Sequence, residues 1–399
     1  MSTRIESKID GAWLRRQVAA LSSIHRPSAS DGERRAAEWI AGRLSGYGLE
    51  SQIDVERVHG DYWSPLALMT GAAAAAGVLS LRGRRVLGAL AGSAAAAAVW
   101  DDLSAGRRWV RRRLPQRSTY NVVALSGPPD AEHTIVLVAH HDAAHSGLIF
   151  HPGIPAFAWK HLPQLIENND TSPPLMFPVF AGPALVGAGS ALGARALTWL
   201  GTILCAGAVP VFADIGMREA VPGANDNVTG VVALLALAAA LQERPTESVR
   251  VMLVSTGSEE SILEGMQAFG RRHFPSLPRD RTFFLCVDTV GSPHLTSLRG
   301  EGMMKMRDYT PAAVALIDGI AEELGIWLFP NLRLRNATDG FVALRSGYTS
   351  ACLGSVTEYK APANYHWPSD TAANVDYDTL ADAVRICEAV VRRLDERWL

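Results

Sequence analysis

The chain has 399 residues, of which 48% are hydrophobic and 20% are charged, and its formal net charge is -2. This composition excludes a disordered chain, and the length is sufficient for one large catalytic domain with or without insertions. A nearly neutral chain without a basic run between aromatic residues also excludes a nucleic-acid-binding surface as the main function.

The N-terminal part predicts two helices followed by a strand. Residues 1–23 are polar and amphipathic, without the apolar core of a secretory signal, so we expect no cleaved export signal. Ser30 followed by Glu33 is a capping-box pattern that opens a predicted helix over residues 31–48. Residues 51–58 alternate between apolar and polar side chains, which is typical of a strand.

Four uncharged apolar runs come next, in two pairs. The first pair is formed by residues 64–81 and 86–100, and the second by residues 174–193 and 196–213. Each run has about 15–20 residues, which is at the lower limit for a helix that crosses a bilayer. Their high content of Ala and Gly favours close contact between helices. We therefore predict two apolar helical hairpins.

The hairpins are interpreted as insertions, over residues 64–113 and 173–215, into one catalytic domain. That domain is predicted to consist of residues 1–63, 114–172 and 216–399.

If each hairpin crosses a membrane twice, the catalytic parts remain on one side. The arginine-rich segment RRWVRRRLPQR on that side then predicts that the domain faces the cytoplasm. The alternative is a soluble cytoplasmic protein whose hairpins form a lid or a dimer interface, and a homo-oligomer is compatible with both.

The remaining sequence alternates apolar strands with helices. Near-continuous apolar strands indicate an α/β fold with a mostly parallel central sheet, covered by helices on both faces. The predicted strands are residues 119–127, 134–139, 249–255, 282–288 and 349–355. The predicted helices are residues 227–243, 261–273, 311–325 and 377–396.

The four cysteines lie in apolar stretches and form no CxxC pair. This pattern indicates buried free thiols rather than disulfides or a thiolate metal site. The cysteines are Cys205, Cys286, Cys352 and Cys387.

Histidines and carboxylates follow several of the predicted strands. His140 ends an apolar strand, where a metal ligand would point into the substrate crevice. If one ring nitrogen of His140 binds a metal, the carboxylate of Asp142 could accept a hydrogen bond from the other ring nitrogen. Asp226 lies in a polar turn before a long apolar helix. Each has a structural alternative, because strand-end histidines are often structural and an aspartate at this position can cap a helix.

Three further acids and a second histidine extend this pattern. Glu259 and Glu260 are adjacent after another strand, so one carboxylate could bind a metal while the other acts as a base. Their alternative is a pair of exposed acids at a helix start. Asp288 ends a strongly apolar strand, where an unpaired carboxylate is costly, and His366 lies in a proline-containing loop. Taken together, the histidines and carboxylates are a mixed set typical of catalytic zinc.

These blocks resemble the bacterial double-zinc aminopeptidase family, which also includes the glutamate carboxypeptidase, transferrin-receptor and glutaminyl-cyclase branches. The matching blocks occur in the order of the family and cover most of the chain outside the insertions. They are RPSASDGERRAAEWI, NVVAL, VAHHD, GANDNVTGV, GSEE, VDTVG, TDGFVALRSG and YHWPSDT.

The resemblance implies a site for two zinc ions. His140 and Asp288 would bind one ion, Glu260 and His366 would bind the other, and Asp226 would bridge them. It also implies a cis peptide bond directly after Asp226.

The resemblance further implies the roles of three catalytic residues. Glu259 would take a proton from the bridging water and return it to the leaving amine. Asp142 would orient His140, and Tyr365 would steady the oxyanion. The expected activity is that of a zinc-dependent exopeptidase, most simply an aminopeptidase acting on peptides. The alternatives are glutaminyl-cyclase-like acyl transfer with one zinc ion, and a non-catalytic receptor-like protein.

Two features depart from the pattern of the family. His141 and His145 make the first block unusually rich in histidine, and we expect them to face solvent or to lie behind the metal ligands. The second apolar pair also lengthens the span from Asp142 to Asp226. Because the insertions flank the active-site blocks, they could restrict access of the substrate.

Overall fold

The computed structural model describes residues 10–399, so the first nine residues of the predicted N-terminal segment lie outside the described residues. Within this range the strands are β1 Glu50–Val58, β2 Arg117–Ser126, β3 His133–His140, β4 Val249–Thr256, β5 Thr282–Asp288, β6 His294–Ser297, β7 Gly300–Glu301, β8 Arg307–Asp308, β9 Arg333–Leu334 and β10 Thr349–Val356. The α-helices are α1 Gly11–Ser22, α2 Asp31–Gly46, α3 Trp63–Leu81, α4 Arg85–Leu103, α5 Gly153–His161, α6 Pro163–Glu167, α7 Phe177–Leu192, α8 Arg195–Met217, α9 Thr229–Glu243, α10 Glu264–His273, α11 Pro311–Glu323, α12 Gly340–Arg345 and α13 Tyr377–Glu396.

A seven-stranded sheet forms the centre of the catalytic part, in the order β1-β2-β4-β3-β5-β10-β6. The middle four strands pair in parallel, and the outer strands pair antiparallel. Alternate residues of β3 face two different cores: Ile135 and Leu137 pack in one, and Val136 and Val138 pack in the other. The predicted α/β fold with helices on both faces is therefore confirmed, with parallel pairing confined to the middle of the sheet.

Short strands are among the elements that the sequence patterns did not predict, together with the helices α5, α6 and α12. β6 has four residues, and a separate sheet in the order β8-β7-β9 consists of strands of two residues each. Strands of this length are too short to show a recognisable alternation of apolar residues.

The predicted cap of α2 is present, but its second residue has a different role. The Ser30 hydroxyl accepts hydrogen bonds from the amides of Gly32 and Glu33, each at 3.1 Å. The Glu33 carboxylate is buried and accepts from the amides of Ala29 at 2.6 Å and Ser258 at 3.0 Å. It therefore connects the start of α2 to the turn after β4.

Helices α3, α4, α7 and α8 form one four-helix bundle, in which the two predicted hairpins pack against each other. Glycines permit the close approach of the backbones. A Cβ on Gly92 would lie 2.6 Å from the amide nitrogen of Gly187, and a Cβ on Gly201 would lie 2.6 Å from the carbonyl oxygen of Gly182. Tyr62 and Phe212 join this bundle to the core that contains Val136.

Length and apolar composition qualify four helices as candidate membrane spans: α3, α4, α8 and the helical stretch 224–243. The last is 94% buried inside the catalytic core, so it is a core helix. The fourth helix of the bundle, α7, has 16 residues and is shorter than the other candidates. The bundle thus contains three candidate spans and one shorter apolar helix.

Candidate active site

Two histidines and an aspartate form the centre of the site. Oδ1 of Asp226 lies 3.2 Å from Nε2 of His140, and its Oδ2 lies 3.4 Å from Nε2 of His366. His140 ends β3, while Asp226 precedes α9 and His366 lies in the loop before α13. One carboxylate therefore faces two imidazoles from opposite parts of the chain.

Two groups of side chains that could hold a metal ion share Asp226. The first consists of His140, Asp226 and Asp288, and the second consists of Asp226, Glu260 and His366. Within each group the ligand atoms lie within 4.8 Å of one another. In the second group, Nε2 of His366 lies 3.2 Å from Oε2 of Glu260. The five residues predicted as metal ligands are thus brought together.

The charges of this cluster fit bound cations. Oε1 of Glu260 and Nδ1 of His366 are buried without a hydrogen-bond partner among the described residues. Burial, reinforced by Asp226 and only partly offset by His140, raises the pKa of Asp288 well above its ordinary value. Burial alone would lower the pKa of His366, but the carboxylates of Glu260 and Asp226 raise it to about 10. Buried acids that gather around imidazoles in this way require positive charge, which metal ions would supply.

Glu259 belongs to neither of the two groups that share Asp226, but it forms a further group with His140 and Glu260 whose ligand atoms lie within 4.8 Å of one another. Its Oε2 lies 3.9 Å from Nε2 of His140. Burial raises the pKa of Glu259 well above its ordinary value, with His140 opposing the rise and Glu260 adding to it. A carboxylate with a raised pKa beside a metal site is suited to accept and return a proton.

Asp142 holds the turn that carries the two glutamates. Its carboxylate accepts hydrogen bonds from the amides of Glu259 and Glu260, each at 3.0 Å, and from the Ser28 hydroxyl at 2.6 Å. Its Oδ1 also lies 3.4 Å from Nδ1 of His140. The predicted contact with His140 is therefore present, and the contacts with the turn are additional.

Arg26 is a positioning residue that the sequence did not reveal. Its fully buried guanidinium donates hydrogen bonds to the carbonyls of His141 and Pro222, each at 2.6 Å, and of Gly223 at 2.7 Å. These carbonyls flank His140 and Asp226, so one side chain connects the two backbone segments that carry them. Its position in the RPSASD block gave no indication of this contact, because its partners lie far away in sequence.

Asp370 holds the segment that bears the bridging aspartate. Its carboxylate accepts hydrogen bonds from the amides of Asn225 at 2.7 Å and Asp226 at 3.0 Å. The peptide bond between Asp226 and Asn227 is cis, as the family resemblance predicted. Asp370 lies in the YHWPSDT block, but the sequence did not reveal its role.

His141 and His145 lie outside the ligand groups. The buried His141 places Nδ1 2.9 Å from the hydroxyl of Ser255, and burial lowers its pKa to about 3. Nδ1 of His145 lies 2.6 Å from the carbonyl oxygen of Arg218, and its ring lies 4.4 Å from that of Trp63. Both have local partners, in agreement with the expectation that they are not ligands.

Tyr365 and Tyr62 present two phenols to the cavity. The Tyr365 ring stacks on His366 with centroids 3.8 Å apart, and its oxygen accepts a hydrogen bond from Nδ2 of Asn336 at 2.8 Å. Its own proton therefore remains available for donation. Tyr62, at the start of the first bundle helix, was not predicted because it lies outside the family blocks.

The cavity in front of these residues has a volume of about 490 Å³ and a largely apolar lining. Part of its wall comes from residues 147–176, which we call the rim segment, and this segment contributes Ile149, Phe150 and Met176. Leu298 and Val356 line the sheet side. The site is thus polar where the metal-binding groups meet and apolar elsewhere.

The first hairpin is also bound to the turn that carries Glu259. Arg111, buried behind α4, forms an ion pair with Asp102 and donates a hydrogen bond to the carbonyl of Ser261. Arg108 donates to the carbonyl of Ile262, whose φ is 64°, a left-handed conformation that is strained for a β-branched residue. The arginines therefore hold the turn from the side of the bundle.

Comparison with known proteins finds a matching family for part of the chain and solved structures with a similar fold. Residues 209–391 match peptidase family M28, a range that contains four of the five predicted metal ligands, all except His140. No curated protein matches the chain.

Three solved structures illustrate the shared fold. A leucine aminopeptidase precursor from Bacteroides thetaiotaomicron has a TM-score of 0.56 and 14% identity, with 96% of both chains covered. An aminopeptidase from Aneurinibacillus sp. strain AM-1 has a TM-score of 0.56 and 15% identity, with 98% of this chain and 95% of that chain covered. A glutaminyl cyclase from Bacteroides thetaiotaomicron has a TM-score of 0.56 and 14% identity, with 96% of this chain and 97% of that chain covered.

Proposed function

We propose that this chain, whose residues 209–391 match peptidase family M28, is a zinc-dependent aminopeptidase with two metal ions. The observation that supports this proposal is the pair of ligand groups that share Asp226. His140 and Asp288 would complete one site, and Glu260 and His366 would complete the other. Mixed nitrogen and oxygen ligands of this kind are typical of catalytic zinc.

Zinc ions, when bound, lower the pKa of water and polarise a carbonyl group. Glu259 is the proposed general base, since its carboxylate lies beside the ligand groups without belonging to the two that share Asp226. It would accept a proton from the attacking water and deliver it to the leaving amine. Asp142 would keep this carboxylate in place through the backbone amide of Glu259.

Tyr365 is proposed to stabilise the negative charge that develops on the carbonyl oxygen of the substrate. Its phenol lies in the cavity, and the hydrogen bond from Asn336 leaves its proton available for donation. Burial raises the pKa of Tyr365, with added contributions from Asp226 and Glu260, so the phenol stays protonated. A donor aimed at the developing oxyanion supplies electrostatic stabilisation.

Acyl transfer with one zinc ion, as in a glutaminyl cyclase, is the second candidate. The glutaminyl cyclase with the same fold supports it. Against it, His140 and Asp288 converge with Asp226 into a second complete ligand group. The presence of both ligand groups also argues against a receptor-like protein that binds no metal.

The test is to measure zinc content and two reactions on the purified full chain. Two zinc ions per chain, together with release of the N-terminal residue from an unblocked peptide, would support the aminopeptidase. Cyclisation of an N-terminal glutamine with one zinc ion per chain would support the second candidate. Neither reaction in a folded, metal-free protein would favour the receptor-like alternative.

We also propose that the four-helix bundle spans a membrane. A helix of 19 residues, as in α3 and α4, is about 28 Å long, close to the thickness of a bilayer core. Large apolar side chains point away from the bundle, such as Leu90, which is 68% exposed, and Ile203, which is 60% exposed. Trp100 and Trp199 lie near opposite ends of the bundle, as aromatic residues do at membrane interfaces.

The predicted cytoplasmic orientation rests on the arginines of the segment RRWVRRRLPQR. Arg108 and Arg111 are buried and bind groups of the protein, so two of the arginines in RRWVRRRLPQR have a structural role.

Extraction of membranes with alkaline carbonate tests the membrane proposal. The chain should stay in the pellet, and release into the soluble fraction would favour a soluble lid or dimer interface.

A further inference from the structure

The rim segment is apolar on two sides. Ile149, Ile154 and Leu175 line the cavity. Leu148 and Phe157 do not line it, and they are 59% and 64% exposed. The wall of the active site therefore presents large apolar side chains both to the substrate and to the outside.

The rim segment is attached to the end of the bundle from which the helices enter the catalytic part. At its start, the Leu148 amide donates a hydrogen bond to Asp214 of α8 at 2.6 Å. Its far end continues directly into α7, which begins at Phe177. Both ends of the rim segment therefore lie at the end of the bundle that adjoins the catalytic part.

The composition of the rim resembles that of a segment at a membrane surface. Residues 147–176 contain only three charged residues, Lys160, Glu167 and Asp170. Helix α5 combines Phe157 and Trp159 with Lys160, the type of residues that interfacial helices use. Contiguous exposed apolar surface is rare in soluble proteins and marks contact with a membrane or a partner.

We propose that the rim segment dips into the surface of a phospholipid bilayer and that the enzyme cleaves peptides carried by that bilayer. The cavity would take apolar N-terminal residues, because its lining is largely apolar. This inference rests on the proposed aminopeptidase function and on the membrane placement of the bundle. It specifies the substrate class as membrane-borne peptides with apolar N-termini.

The test compares two substrates with the full chain in phosphatidylcholine vesicles. One is a soluble leucine arylamide, and the other is a leucine-initiated peptide held in the vesicles by a C-terminal acyl chain. Phe157→Ser removes an apolar rim side chain that does not line the cavity. Val55→Ser, on the edge strand β1, removes a side chain that is also exposed, at 51%.

In addition, Phe157→Cys and Val55→Cys are labelled with a polarity-sensitive fluorophore, since the native cysteines are all buried.

The expected result is a loss of kcat/KM for the vesicle-borne peptide of about tenfold in Phe157→Ser. Turnover of the soluble arylamide should stay unchanged, and Val55→Ser should affect neither substrate. The label at position 157 should shift to the blue in vesicles, and the label at position 55 should not. Equal losses on both substrates, no loss on either, or an unshifted label at 157 would each overturn the inference. If the wild type cleaves neither substrate, the proposed function itself fails, and the inference fails with it.

Discussion

The carboxylate of Asp142 accepts a hydrogen bond from the backbone amide of Glu259 at 3.0 Å, across a separation of 117 residues. The same carboxylate lies 3.4 Å from the ring of His140. One side chain therefore positions both a proposed metal ligand and the proposed general base. The contact therefore couples the H-x-D block to the GSEE block.

Asp142→Asn should lower both zinc affinity and kcat, by roughly 10–100-fold, because an amide is a poorer partner for a ligand imidazole. The measurement is zinc titration together with hydrolysis of a leucine arylamide. Asp130→Asn, at an exposed loop position, is the matched control and should behave like the wild type. Wild-type kinetics in Asp142→Asn would mean that the turn is held by other contacts.

Arg111→Gln should destabilise the protein, because it leaves the buried carboxylate of Asp102 without its paired cation and leaves Glu264 with only the more distant Arg108, at 4.0 Å. Removing one partner from a buried ion pair costs about 3–5 kcal/mol. The free energy of unfolding in detergent micelles is the quantity to measure. Arg281→Gln is the control, since its pair with Glu132 is exposed and should contribute less than about 1 kcal/mol.

A loss of stability in Arg111→Gln should be accompanied by a lower kcat in the remaining folded protein, because Arg111 also holds the carbonyl of Ser261 in the catalytic turn. Unchanged kcat at full folding would show that the link between the bundle and the turn is only structural.

Gly187→Ala should weaken the packing of the two hairpins. A Cβ at this position would lie 2.6 Å from the hydroxyl of Ser93 and 2.8 Å from its backbone nitrogen. Overpacking of this kind costs about 1–3 kcal/mol. Gly207→Ala makes the same change in α8 where nothing lies within 4 Å, so it should be neutral or stabilising by up to about 1 kcal/mol. Thermal unfolding of both variants measures the difference, and equal midpoints would contradict the packing described for the bundle.

Much of the site was accessible from the sequence because its ligands lie at the ends of recognisable apolar strands. His140 and Asp288 end β3 and β5, and parallel pairing brings those ends to one edge of the sheet. Arg26 and Asp370 were missed because they act on backbone groups distant in the chain, which leave no pattern in sequence.

The packing of the four apolar runs against one another could not be predicted from the sequence either. Their positions predicted helices, but composition does not specify which helix contacts which. The close approach of Gly92 to Gly187 joins the two hairpins into one bundle, and it depends on a register that only the folded chain defines. The position of Tyr62 in the wall of the cavity likewise depends on where the bundle meets the catalytic part.

The most direct test of the proposed function is Glu259→Gln, measured for zinc content and for hydrolysis of an unblocked peptide. The substitution keeps the size of the side chain but removes the proton acceptor, so zinc should remain at the wild-type level while kcat falls by about 10²–10⁴-fold. A variant that retains zinc and hydrolyses the peptide at the wild-type rate would contradict the account.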